Sequence, residues 1–111
     1  MDPRYESLAD NLVAHSTKLK EGEKALIHAF DVPEGITLAL IRAVRSRGAI
    51  PFVQLESSRI GRECVLGGKD IQFESSLSWE MERMKAMDAY LALRGSANVF
   101  ENSDLPQEDM K

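Results

Sequence analysis

The sequence predicts a small α/β domain: a mostly parallel sheet of about three strands, with helices on both faces. Three observations carry that expectation. Apolar residues spaced three or four apart alternate along the chain with short apolar runs, in the order helix, strand, helix, strand, helix, strand. The first run, Ala25-Leu26-Ile27-His28-Ala29-Phe30, is nearly continuous, as in a parallel strand covered on both faces. Repeated alternation of this kind is what right-handed βαβ units around one sheet require. The 111 residues fit one domain. A hydrophobic share of 43% with 29% charged residues is that of a folded globular chain, without repeats or low-complexity segments.

Asp2-Pro3 starts the first helix, because Asp caps free N–H groups and Pro loses nothing at the first helical position. Tyr5, Leu8, Leu12, His15 and Leu19 then mark one buried stripe over about residues 3–20, and Glu21-Gly22 ends it. After strand one and the loop Asp31-Val32-Pro33, residues 34–47 place Ile36, Leu40, Ile41 and Val44 on one face, and Gly48 stops the helix. Residues 50–55 read as strand two. Pro51 cannot donate to a ladder, which puts this strand at an edge or delays its start. Residues 57–67 predict a short helix carrying Ile60, Cys64 and Leu66 before Gly67-Gly68, and residues 69–74 have no assignment. A helix over about 76–87 turns Leu77, Met81 and Met84 inward, with Glu80–Arg83 and Glu82–Lys85 as surface pairs. Residues 89–94 form strand three, ending at Gly95-Ser96. Ser103 to Glu108 reads as a capped helix start cut short at Lys111, or as a frayed acidic tail.

The net charge of −4 argues against a nucleic-acid or anionic-membrane partner, which calls for a clustered basic face. Most of that charge lies in residues 101–111, with four acids and one lysine. A single cysteine, Cys64, excludes an internal disulfide and suits a reducing compartment. The N-terminus is too polar for a signal peptide, and no apolar run approaches a membrane span. These features predict a cytoplasmic domain.

Chemistry-bearing residues are few. His15 falls on the stripe of the first helix and His28 within a covered strand, so each reads as a satisfied core histidine. Nothing near Cys64 marks an activated thiolate. No histidine or cysteine pair stands at metal-ligand spacing. No Gly-rich loop follows strand one; Asp31 and Glu34 put carboxylates where a phosphate would sit, so the layering is Rossmann-like without a dinucleotide loop. The cluster Met81, Met84 and Met87 reads as core filling. Arg94-Gly95-Ser96 occupies the strand end where open α/β sheets place ligands, or is a tight turn needing its glycine. Trp79 lies about 200° around the helix from Leu77, which makes it either an interface residue or a side chain folded back from a frayed first turn.

Several short motifs follow one another in a distinctive order along the chain. Asp2-Pro3-Arg4, Leu8-Ala9, Leu12-Val13 and Gly22-Glu23-Lys24 lead into strand one. Arg47-Gly48-Ala49 with Pro51 precedes strand two, Trp79-Glu80 opens a helix, and Asp88-Ala89 leads into strand three. In this order these motifs resemble the start of the aminopeptidase T family, thermophilic-type metalloaminopeptidases that include aminopeptidase S, and Leu93-Arg94-Gly95-Ser96 with Asn98 is similar to that family's Arg-Gly-Ser-x-Asn turn. The likeness runs over essentially all of the chain. It implies the non-catalytic N-terminal domain of an enzyme that removes N-terminal amino acids from peptides. Two divalent ions, zinc, cobalt or similar, would belong to a C-terminal catalytic domain that this chain lacks, and no residue here is carried over as a metal ligand. The implied partners are that C-terminal domain, a peptide substrate and a second copy in a homodimer. Arg94, Ser96, Asn98 and Trp79 are the candidates for lining the substrate cavity or an interface. On this reading the isolated chain is inactive. The alternatives are a stand-alone α/β interaction domain without enzymatic activity and, third, a small-ligand binder near Asp31 and Arg94.

Overall fold

A computed structural model describes residues 3–95. Its elements run α1 (Pro3–Asn11), a π-helical continuation (Leu12–Thr17), β1 (Lys24–Phe30), α2 (Glu34–Ser46), β2 (Ile50–Glu56), α3 (Ser58–Val65), α4 (Asp70–Ala86) and β3 (Ala89–Arg94). The sheet has strand order β2-β1-β3, and both pairings are parallel. The expected α/β class holds: β1 is the covered centre, and Pro51 lies on an edge strand, where its missing N–H costs least.

One face of the sheet carries the core. Ala25 and Ile27 of β1 point to it and meet Val13, Leu40 and Val44 from the first two helices, with Leu91 from β3. Ile27, Leu40 and Val44 are completely sealed from solvent. α2 buries Ile36, Leu40 and Val44 on its inner face as its spacing predicts, while Ile41 is half-buried. The Arg42 guanidinium reaches Glu6 of α1 at 2.8 Å on the surface between the helices. α2 stops at Gly48, whose φ of +76° leaves room for no ordinary side chain: a Cβ there would stand 2.9 Å from Glu21 Cγ. That turn is fastened to the one before β1 by Gly22 N donating to Gly48 O.

The first helix departs from expectation in its second half. Hydrogen bonds in a π-helix run to the fifth residue, so the step of three from Leu12 to His15 no longer stays on one face. Val13 takes the inward place, and His15 faces solvent rather than forming a core histidine. Lys18, in the left-handed region at φ 52°, then ends the segment.

The opposite face belongs to α3 and α4. Register partners on a parallel sheet share a face, so Leu26, His28 and Phe30 lie with Phe52, Gln54, Glu56, Tyr90, Ala92 and Arg94. α4 reaches this face through Arg83, which donates to Gln54 Oε1. Two expectations fail here. α4 begins at Asp70, through the segment left without assignment, and it buries none of its residues. Leu77, Met81 and Met84 are turned outward in solvent terms, with Leu77 60% and Met81 53% exposed, so the methionine cluster is not core filling. Likewise Ile60, Cys64 and Leu66 around α3 are exposed, although Ser57 caps that helix through its Oγ to Ile60 N. α3 gathers its apolar residues on one face, whereas those of α4 fall on two sides, Phe73, Leu77, Met81 and Met84 on one and Ile71 and Trp79 away from it; spacing predicts such faces, not the layer that covers them.

Candidate functional site

Strand order β2-β1-β3 reverses at β1, and α/β sheets hold ligands at the carboxyl ends of the strands beside such a reversal. Phe30, Glu56 and Arg94 end the three strands there. Arg94 lays its guanidinium over the Phe30 ring, 4.3 Å from the centroid, in a cation–π contact. Asp31 follows β1 with φ 56° and accepts the Ser58 backbone N–H on both carboxylate oxygens at 3.1 Å. That carboxylate therefore braces the start of α3.

His28 is the centre of the face. It is 3% exposed, and both ring nitrogens are engaged. Nδ1 lies 2.7 Å from the Tyr90 hydroxyl and Nε2 lies 3.0 Å from Glu56 Oε2. A carboxylate can only accept, so Nε2 carries the hydrogen, and Nδ1 of the neutral ring accepts the Tyr90 proton. Glu56 Oε2 also accepts from Gln54 Nε2 at 2.7 Å, and Gln54 Oε1 accepts from Arg83. The result is one hydrogen-bonded line, Arg83–Gln54–Glu56–His28–Tyr90, crossing all three strands and touching α4. Phe30 packs against the imidazole at a tilt of 39°, with ring centroids 4.2 Å apart. Burial raises the Tyr90 phenol above its usual range, Arg94 opposes that shift, and the carboxylates of Glu80 and Glu56 add to it.

The sequence-derived candidates come together only in part. Arg94 stands at the rim of this face, as expected for a residue at a strand's carboxyl end. Trp79 is 67% exposed in mid-helix, well past the first turn of α4, and flanks an open groove with Ile71, Gln72, Ser75 and Ser76. It faces solvent rather than folding back. Ser96 and Asn98, with the capped segment from Ser103 on, lie outside the described residues. His28 is a satisfied buried histidine, as read from the sequence, but its partners Glu56 and Tyr90 were not foreseen. The available signal was register: polar Gln54 and Glu56 interrupt β2, and Tyr90 interrupts β3, all on the face of His28.

Among the described residues, no group of three or more His, Cys, Asp or Glu side chains is placed to hold a metal ion. Both His28 nitrogens are committed, so this network does not fit a metal pair. No described helix is long and apolar enough to cross a membrane. No protein-family model and no curated protein matches the chain.

Proposed function

We propose that this chain is a non-catalytic α/β docking domain serving a metal-dependent aminopeptidase, as its resemblance to the N-terminal domain of the aminopeptidase T family implies. The observation that carries the reading is the uncovered apolar surface of α3 and α4. Ile60, Val65 and Leu66 of the α3 region, with Phe73, Leu77 and Met81 of α4, all stand in solvent. Contiguous apolar patches beyond a few hundred Å² are uncommon on proteins that work alone. A second folded module laid over α3 and α4 would cover the exposed apolar residues of both helices. Arg94 and Trp79 then contribute to the cavity rim or to the contact between modules. The metal pair and the peptide chemistry reside in that second module, and the role of this one is to position it.

The test reads the gene and the protein together. The reading frame is expected to continue past Lys111 into a segment with spaced Glu, His and Asp residues, and the longer product to release N-terminal amino acids only with divalent metal. The 111-residue chain alone is expected to bind an apolar-surface dye strongly and to release nothing. A stop codon directly after Lys111 would overturn the aminopeptidase reading and leave an interaction domain.

A further inference from the structure

Tyr90, His28 and Glu56 stand in the relation of a nucleophile, its base and the group that orients the base. The nucleophile–base distance is 2.7 Å and the base–carboxylate distance 3.0 Å, both within the reach that proton transfer needs. The imidazole is buried, and its partners fix its tautomer so that Nδ1 carries no hydrogen and accepts the Tyr90 hydroxyl. Tyr90 is 38% exposed and the Glu56 side chain 35% exposed, so the line runs from solvent through the buried ring and back. One end of the line is therefore a tyrosine that is more than a third exposed, bonded through its hydroxyl to the buried ring.

We propose that Tyr90 is a base-assisted nucleophile that takes up an acyl group from an activated acyl donor. The Tyr90 Oη attacks the acyl carbon, an aryl ester bond forms, and the bond to the leaving group breaks with its electron pair. The phenolic proton passes to His28 Nδ1 as the bond forms, and from there to the leaving group, so no net charge or electron is left over. The imidazolium formed between is held by the Glu56 carboxylate on Nε2, which makes Glu56 a positioning residue. A phenol raised above its usual range by burial is protonated at neutral pH, so its reactivity depends on that base rather than on free phenolate. This inference is independent of the docking role proposed above.

The probe is N-acetylimidazole, with O-acetyl content at Tyr90 and Tyr5, the two tyrosines of the chain, read by peptide mass spectrometry against a free tyrosine amide in the same tube. Unassisted, a partly buried phenol acetylates more slowly than the free amide. With general-base assistance, which contributes ~10²-fold or more in positioned sites, Tyr90 is expected to label about tenfold faster than the free amide. His28→Gln should remove the advantage, but a change at so buried a site can unfold the chain, so Glu56→Gln is the decisive variant. Loss of a mere strut would loosen the face and raise Tyr90 labelling; loss of an orienting carboxylate lowers it, and Glu56→Asp restores part of it. Labelling of Tyr90 no faster than the free amide, or Glu56→Gln labelling as fast as the parent, would overturn the proposal.

Discussion

On the α1–α2 face of the sheet, Ile27, Leu40 and Val44 are sealed from water, and the helices that seal them lie directly on the strands. On the α4 face the same central strand buries Leu26, and His28 among polar partners, while the helix above buries none of its own residues. β1 supplies both, since alternate side chains of one strand point to opposite faces. The difference teaches that the stability of this domain is held on one side and its chemistry on the other. A dry face, well packed, tolerates little change. A face held by a line of hydrogen bonds and an overhanging helix leaves its apolar surface and its reactive groups accessible.

Substitutions of like kind on the two faces sharpen the contrast. Leu40→Ala is expected to cost about 3 kcal/mol in urea unfolding, the range for deleting a fully buried leucine, whereas Leu77→Ala should stay within about 0.5 kcal/mol. Equal losses would mean that α4 is packed after all. Glu56→Ala strips the His28 and Gln54 donors of their shared acceptor. It is expected to cost about 2 kcal/mol, less than Leu40→Ala because water can reach part of the gap. A neutral result would show the line to be ornamental.

Glycine changes divide the same way. Gly48→Ala, on the packed side, forces a side chain into the left-handed region against Glu21 and should cost about 1 kcal/mol or more. Gly61→Ala, in α3 with nothing within 4 Å of its Cβ, should stabilise by about 0.5–1 kcal/mol in the same denaturant series. The smallest effect belongs to pH. Tyr90 is raised in the folded chain above the ordinary 10.0, so at pH beyond that value the unfolded chain releases a proton that the folded one keeps. Stability is therefore full below that pH and declines as pH rises through the folded value. Tyr90→Phe should flatten that part of an alkaline unfolding series, and an unchanged slope would assign the decline to another group.

Much of this architecture was legible along the chain. β3 runs over Ala89–Arg94 as its apolar residues indicate, and α2 ends at Ser46, just ahead of the Gly48 that its pattern makes the stop. What periodicity could not convey was depth. Leu77, Met81 and Met84 share a helix face whether or not anything covers it, so an inward stripe and an outward one read alike. The π turn was hidden for a related reason: Leu12 and His15 obey the α-helical step, and only the backbone shows that the step is not taken. The His28 line was hidden by distance. Glu56 is 28 residues away and Tyr90 is 62, and only the parallel register brings them to one ring.

The strand order also bears on how the sheet is assembled. β2 returns to β1 across residues 31–49, while β3 reaches β1 only across residues 31–88, and the longer closure carries an added entropic cost of about 1 kcal/mol. β1, α2 and β2 can thus zip together as a local unit before the third strand arrives. By the same logic β3 is the last strand in and the first out. Its amides should exchange with solvent hydrogen ahead of those of β1, and each such opening parts Tyr90 from His28.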